Sequence, residues 1–207
     1  MKERPILFSS PMVRAILDGR KTQTRRVVKP QPESVHDGEP YWHVGGYRAW
    51  QFRGIADLLR IGTNNPLVCP YGQPGDRLWV RETMEVSYQG SAYYAADGAQ
   101  IGDRDELGDL CERYGHPYFF NELKGIPSIH MPRWASRITL EVTGVRVERL
   151  QDISEKDAKA EGALKQRLDD LEPPTHWRGF KGVWESINGP GSWDANPWVW
   201  VVEFRRL

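Results

Sequence analysis

The sequence has no long hydrophobic run, no net charge and few cysteines. None of its apolar stretches approaches the roughly 20 residues that a membrane-spanning helix needs, and the first stretch, Ile6-Leu7-Phe8, is too short for a signal peptide. Lys and Arg number 28, as do Asp and Glu, which argues against tight, general binding to long nucleic acid. The two cysteines, Cys69 and Cys111, lack CxxC spacing. The sequence therefore predicts a cytoplasmic protein with free thiols and no membrane partner.

Motifs that hold metals or phosphates are also missing. The five histidines are scattered without HxxxH spacing, so no metal site is predicted. No glycine-rich loop follows a strand in the pattern that cradles phosphates, and no cofactor is predicted. Internal repeats and low-complexity tracts are absent as well.

What the sequence does have is turn residues and aromatic rings. The 207 residues include nine Trp, fifteen Pro and twenty Gly, a composition that favours a small β-rich domain with many turns. The length predicts a single domain over 1–207. Clusters of Pro and Gly and polar composition indicate insertions into that domain at about 30–73 and 163–179, and the acidic, Gly-rich run 97–109 indicates a surface excursion.

The alternation and capping patterns predict about six short strands and three short helices. A mainly β, α+β fold follows, a small barrel lengthened by the insertions. The predicted strands are 6–8, 22–28, 77–82 with 91–96 as its hairpin partner, 137–148 and 197–204. The predicted helices lie between Ser10 and Gly19, between Ser154 and Gly162, and over 180–187.

A basic segment with hydroxyls follows the first predicted helix. From Arg14 to Lys29 there are six basic residues and one acid, Asp18. A local positive spot on a neutral protein indicates an anionic ligand or a catalytic amine. Thr22 and Thr24 add hydroxyls that can bind a phosphate or act as a nucleophile beside a base. An ordinary exposed turn with scattered charges is the alternative.

Three ordered segments together resemble a known family. They are Gly19-Arg20-Lys21-Thr22-Gln23-Thr24, the strand from Pro74 to Glu82, and the helix from Ile153 to Gly162. In this order they resemble the ASCH domains, relatives of the PUA RNA-binding domains. The compact members lack residues 30–73, 97–126 and 163–179, so the resemblance implies insertions at these three places. The longer form, with Pro127 to Trp134, looks like variants encoded by bacteriophages and prophages.

The resemblance implies a PUA-like β-barrel with a cleft for RNA or a modified nucleoside. One compact branch of the family is an amidohydrolase that removes acetyl from N4-acetylcytidine. Its Lys, Thr and Glu fall by motif on Lys21, Thr24 and Glu161 here. Other relatives are thought to bind or cut RNA, so membership alone leaves the chemistry open.

Amide hydrolysis through Thr24 needs a base, and Lys21 is a base only when it is neutral. An ordinary lysine has a pKa of about 10.4. Burial and the neighbours Arg20, Arg25 and Arg26 would lower the pKa of Lys21, whereas the Glu161 carboxylate would raise it. Residues three apart on a regular strand point to opposite faces, so Lys21 and Thr24 converge only if the segment turns after Gly19.

The remaining candidates concern binding. Arg20, Arg25 and Arg26 are expected to contact substrate or RNA, and Arg133 with Trp134 to hold a base, with Trp79 and Tyr94 as alternative stacking partners. The sequence therefore favours a nucleoside amidohydrolase. An RNA-binding or RNA-cleaving module without amidohydrolase activity is the alternative, and a protein partner held by the Trp-rich insertions is a third.

Overall fold

The computed structural model describes residues 1–32, 34–36, 39–44, 47–51, 68–86, 91–102, 105–114, 124–167 and 173–207. The described helices are α1 (Ser10–Leu17), α2 (Asp105–Tyr114), α3 (Glu155–Ala160) and α4 (His176–Asn188). The described strands are β1 (Glu3–Leu7), β2 (Gln23–Val27), β3 (Ser34–His36), β4 (Glu39–Val44), β5 (Tyr47–Gln51), β6 (Arg77–Arg81), β7 (Met84–Val86), β8 (Ala92–Tyr94), β9 (Lys124–Ile126), β10 (Thr139–Arg149) and β11 (Trp198–Arg206). These sheets with a few short helices confirm the predicted α+β class.

The chain divides into two compact units that alternate along the sequence. Unit 1 contains residues 1–19, 77–141 and 206–207, and unit 2 contains residues 20–76 and 142–205. The long strand β10 contributes its first three residues to unit 1 and the rest to unit 2. The predicted single domain over 1–207 with three insertions stays a prediction.

Unit 1 is built around strand β6. Strand β1 pairs with β6 in parallel, with Ile6 opposite Val80, and the start of β10 pairs with β6 on its other side. Because both edges of β6 are occupied, residues 91–96 cannot form its hairpin partner, and that prediction is wrong. Strand β8 pairs instead with β7, the centre of a separate sheet in the order β8-β7-β9.

Helix α1 begins and ends near the predicted residues, with one shift. Its N-cap is Ser9 rather than Ser10. Pro11 lies in the first turn, where backbone N–H groups have no partner within the helix, so the N–H that proline lacks costs no hydrogen bond. Gly19 follows the helix at φ +71, a left-handed conformation that glycine adopts without a steric cost. The next residues can therefore leave the helix at once and enter the basic segment.

Helix α2 lies within the predicted insertion 97–126. Its Leu107 and Leu110, three residues apart and so on one face, are buried in a cluster with Met84, Ile126 and Met131. Burial of that face explains why a helix with so polar a composition forms here.

Unit 2 is built around strand β11. It pairs with β2 in antiparallel register, with Val201 opposite Arg25, and with β10 on its other side. Trp198 and Trp200 share one face of β11 and are buried, and Val199 and Val201 on the other face are buried too. Helix α4 accounts for the second face, since its Phe180 and Trp184 pack in one cluster with these valines.

Helix α4 begins earlier than the sequence predicted. Residues 176–179, assigned to an insertion, form its first turn. The backbone N–H groups of His176 and Trp177 donate to the two carboxylate oxygens of Glu155, at 2.8 and 2.9 Å. The carboxylate therefore satisfies helix-end donors from a distant segment, a contact that local sequence patterns do not reveal.

The predicted insertion 30–73 contains a three-stranded antiparallel sheet in the order β3-β4-β5. The sequence also indicates one or two helical turns from Ile55 to Ile61, and these residues lie outside the described ranges. The described strands form sheets without closing into a barrel. Within the same ranges, no helix has the length and apolar character needed to cross a lipid bilayer.

Candidate functional site

The segment after α1 meets the end of α3 in unit 2. Lys21 forms an antiparallel bridge with Glu161, and the Thr22 N–H donates to the Ala160 carbonyl at 2.8 Å. The Lys21 amine donates to the Glu161 carboxylate, with Nζ 2.8 Å from Oε2, and to the Glu161 carbonyl at 2.9 Å. Lys21 and Glu161, 140 positions apart in the sequence, therefore form a hydrogen-bonded ion pair.

The sequence of α3 places Glu161 at its end. Ser154 caps the start, accepting from the Asp157 N–H at 3.0 Å, and Gly162 at φ +79 ends the helix. Glu161 is therefore the C-cap residue, where an acidic side chain is disfavoured by the helix dipole. Its position is stabilised by cations from β2 and the residues before it.

The second cation is Arg25. Its Nη1 lies 3.2 Å from Glu161 Oε1, its Nη2 lies 3.0 Å from Glu148 Oε2, and Nη2 is 3.7 Å from Asp157 Oδ2. The side chains of Lys21 and Arg25 are 0% exposed and that of Glu161 is 3% exposed. Buried charges of this kind are tolerated only when they are paired.

The carboxylates around Arg25 are themselves held by a further arginine. Arg146 contacts Glu148, Glu203 and Asp157 through its guanidinium. Arg146 and Glu148 are two residues apart on β10 and so lie on one face of that strand. The charged network therefore extends from the buried Lys21–Glu161 pair to half-exposed groups on β10 and β11.

Burial is the main influence on the pKa of Lys21. Removal from water lowers the pKa of the Lys21 amine below its ordinary value; the charge and hydrogen bond of Glu161 oppose this, and Arg26 and Arg25 add to it. The sequence left these effects in balance, whereas in the structure burial is the largest. A lowered pKa makes the neutral amine, which can accept a proton, more accessible.

Thr24 lies in β2, opposite Val202, and is buried. Gln23 and Arg25, on either side of it, contact α3 through Asp157 and Glu161. Alternation along a strand therefore directs Thr24 to the other face of β2. Lys21 lies before the first residue of β2, so the alternation of the strand does not determine the direction of its side chain.

Arg26 shares the face of β2 on which Thr24 lies. Burial lowers the pKa of its guanidinium, while the charges of Tyr71 and Glu161 oppose that change. Burial likewise raises the pKa of the Tyr71 hydroxyl, and Arg26 opposes it. Arg20, by contrast, is exposed and donates to the Gly162 carbonyl at 3.3 Å.

The other predicted binding residues belong to unit 1. Arg133, 46% exposed, pairs with Glu3 and lies over the Trp79 ring at 5.7 Å. Trp134 packs against the hydrophobic cluster that contains Met131.

The alternative stacking residues are engaged in packing. Trp79 is 8% exposed and also carries the Arg81 guanidinium over its ring. The Tyr94 hydroxyl donates to the Ala135 carbonyl at 2.9 Å, and Arg137 lies 3.8 Å from its ring centre. Neither ring presents an open face for a base.

The sequence did not single out Glu148, Asp157, Arg146 or Glu203 for the site. One signal was available, since a strand that buries an arginine requires carboxylates opposite it. Periodicity does not reveal which strand or helix supplies them. Among the described residues, no group of three or more His, Cys, Asp and Glu side chains is placed to hold a metal ion.

Comparison with known proteins adds no support to this candidate site. No family model, curated protein or solved structure matches the chain.

Proposed function

We propose that this protein is an amidohydrolase that removes an acyl group from a modified cytidine such as N4-acetylcytidine. The observation that supports the proposal is the contact of the Lys21 amine with the Glu161 carboxylate at 2.8 Å, with both side chains buried. A buried amine with a lowered pKa, held by a carboxylate, is the arrangement expected of a general base. The proposal assigns nucleophilic attack to the hydroxyl of Thr24, three residues after Lys21, and requires substrate binding to bring it within reach of the Lys21 amine.

The reaction uses these groups in two halves. Neutral Lys21 takes the proton of the Thr24 hydroxyl as Oγ1 bonds to the acyl carbon. The carbon–nitrogen bond then breaks, and the Lys21 ammonium returns the proton to the leaving nitrogen. Water next attacks the acyl-threonine ester with Lys21 as base, releasing the carboxylic acid and restoring Thr24.

Glu161 has an orienting role in this scheme. Its two oxygens accept hydrogen bonds from Lys21 and Arg25, so it stabilises the ammonium that forms after proton transfer. After the first proton transfer, Lys21 itself carries the proton that the leaving nitrogen needs. Because Lys21, Thr24 and Glu161 are buried, the proposal requires a small acyl group, rather than a continuous RNA strand, to reach them.

We also propose that the chain has the PUA-like barrel of the ASCH type, elaborated by insertions. The contact between the Gly19–Thr24 segment and the end of α3 supports it, because the resemblance implies that these two segments form one site. Solution NMR would test it, since a closed barrel requires cross-strand contacts between backbone amides all around the sheet.

The test of the amidohydrolase is hydrolysis of N4-acetylcytidine, followed by chromatography of cytidine and acetate. Lys21→Ala and Thr24→Ala should each lower kcat/KM by about 10²-fold or more. Thr24→Ser should keep part of the activity because it retains a hydroxyl. Lys159→Ala, an exposed lysine on α3, is the matched control and should behave as the wild type. Wild-type protein as inactive as Lys21→Ala on N4-acetylcytidine and on other N-acylated cytidines would refute the proposal.

RNA binding without chemistry is the second candidate, favoured by the exposed Arg20 beside Gly162. Binding of this kind weakens with rising salt because counterions are released from phosphates. Arg20→Ala should then reduce affinity for single-stranded RNA, while Lys156→Ala, exposed on α3, should not. Affinity that is absent or independent of salt would exclude this candidate.

A further inference from the structure

Arg25 is fully buried in β2, where a guanidinium needs several acceptors. Its two terminal nitrogens reach carboxylates on two elements: Glu161 and Asp157 from α3, and Glu148 from β10. The Phe180 ring lies 5.9 Å from the guanidinium carbon. Enclosure by acids and an aromatic ring leaves this side chain no approach to an RNA phosphate, which was its expected partner.

The Glu161 carboxylate is divided between two cations. Oε1 accepts from Arg25 Nη1 at 3.2 Å, and Oε2 accepts from Lys21 Nζ at 2.8 Å. A carboxylate held at both oxygens cannot rotate about its last bond without losing one of these contacts. The position of Oε2, and with it the position of the Lys21 amine, therefore depends on Arg25.

The planar fork of arginine suits this task. It spans Glu161 on one side and Glu148 on the other with separate nitrogens, which a single ammonium cannot do. Arg25 is itself fixed by Glu148 and Asp157, and both of these acids are held by Arg146. The geometry at Glu161 is thus secured from β10 as well as from β2.

We propose that Arg25 is a positioning residue of the Lys21–Glu161 pair. It holds Oε1 of Glu161 so that Oε2 alone meets the lysine amine, and it keeps that amine in the orientation in which it accepts a proton. The catalytic consequence rests on the function proposed above, whereas the effect on Lys21 is a property of the protein without substrate.

Removing Arg25 changes the surroundings of Lys21 in a defined direction. The charged groups that act on the amine are Glu161, Arg25 and Arg26, with Tyr71 acting on Arg26. Without Arg25, both oxygens of Glu161 become available to the lysine, and one neighbouring positive charge is lost. Both changes favour the ammonium, so the pKa of Lys21 rises.

The groups around Arg25 form the next layer of charge. Asp157 and Glu148 approach it from α3 and β10, and Arg146 and Glu203 lie beyond them. A variant of Arg146 alters this layer without touching Glu161. It therefore separates a general change of charge from a specific loss of the Arg25–Glu161 contact.

The experiment is an NMR titration of lysine side chains in the intact protein, labelled at the ε-carbon and ζ-nitrogen. Lys21→Arg identifies the Lys21 resonance. Arg25→Gln should raise the pKa of Lys21, and Arg25→Lys should raise it less. Arg146→Gln, the control, should change it less than Arg25→Gln does. An unchanged titration in folded Arg25→Gln would overturn the proposal; if that variant does not fold, an unchanged titration in Arg25→Lys would do so.

Kinetics provide the second readout. With N4-acetylcytidine, Arg25→Lys should lower kcat by about 10- to 100-fold at unchanged KM, since misplaced catalytic groups lose rate rather than binding. A raised KM with an unchanged Lys21 titration would instead make Arg25 a substrate-binding residue and overturn the proposal. Failure of the amidohydrolase itself leaves the titration as an independent result.

Discussion

At the scale of single residues, Lys21 gives the site its pH dependence. Burial lowers the pKa of its amine from the ordinary 10.5. The amine is protonated and unable to act as base below this lowered value, and neutral above it. We therefore expect kcat/KM for N4-acetylcytidine to rise with pH and to be half-maximal at a pH below 10.5.

A profile whose midpoint lies at or above pH 10.5 would contradict this prediction. The Lys159→Ala variant should give the wild-type profile, because that exposed lysine lies outside the contact with Glu161. Arg25→Gln should move the rising limb to higher pH, in step with the titration of Lys21.

Two arginines of unit 1 allow a comparison between a buried and an exposed ion pair. Arg137 contacts Glu82 at 2.9 Å through Nε and Nη2, and Glu82 is 1% exposed. Arg137→Met would leave that carboxylate buried without its partner, which typically costs about 3–5 kcal/mol. We expect a loss of this order in the free energy of unfolding, measured by denaturant titration.

Arg133→Met is the matched control. Its pair with Glu3 has both side chains largely exposed, and such pairs contribute about 0–1 kcal/mol. The Arg133 guanidinium also lies near the Trp79 ring, so a small loss is expected. Equal losses in the two variants would show that burial does not determine the strength of these pairs.

At the scale of elements, two helical glycines should respond to alanine in opposite ways. In α4, a Cβ on Gly179 would lie 1.8 Å from the Leu164 carbonyl oxygen, and the backbone would have to move. In α2, a Cβ on Gly108 meets nothing within 4 Å. Gly179→Ala should lower the free energy of unfolding by about 1–3 kcal/mol, whereas Gly108→Ala should raise it by up to about 1 kcal/mol.

Thermal and denaturant unfolding of the two variants would check this pair. Because both substitutions add the same methyl group to a helix, helix propensity alone predicts stabilisation in each. A stable Gly179→Ala protein would mean that the α4 helix does not approach the 163–165 segment as closely as described.

Several elements could be predicted because their signals are local. Ser154 and Gly162 delimit α3 through a cap and a left-handed residue, and alternating apolar residues mark β10 and β11. The partner of β8 could not be predicted, because its pairing depends on which edges of β6 are already occupied. The start of α4 was missed for a similar reason, since Glu155 supplies acceptors from a distant segment.

The same distinction between local signals and distant partners applies to prediction of the site. The residues before β2 indicated a catalytic amine through local charge and hydroxyls, and the resemblance added Glu161. The buried position of Arg25 among Glu148, Asp157 and Glu161 could not be inferred, because an arginine in a basic segment is ordinarily exposed.

At the scale of the whole molecule, each unit is assembled from separate parts of the chain. In unit 2, β11 pairs with β2. The paired residues, from Val27 with Val199 to Gln23 with Glu203, lie more than 170 positions apart in the sequence. A fragment of residues 142–207 lacks β2, Lys21 and Arg25. It would leave one edge of β11 open and Glu161 without its cations, so we expect no cooperative unfolding transition.

Circular dichroism of that fragment during heating would test this expectation. The full chain, measured under the same conditions, is the reference and should unfold cooperatively. A fragment that melts cooperatively, with the helix content of α3 and α4, would show that residues 142–207 fold without β2.

The distance of 140 positions between Lys21 and Glu161 also matters while the chain is being made. A ribosome releases the basic segment early and the acid that accompanies it much later, at a synthesis rate of about 5–20 residues per second. For many seconds the nascent chain therefore carries Lys21 without the acid that pairs with it. The Lys21–Glu161 contact can form only after Glu161 has left the ribosome, so the proposed activity cannot begin before that moment.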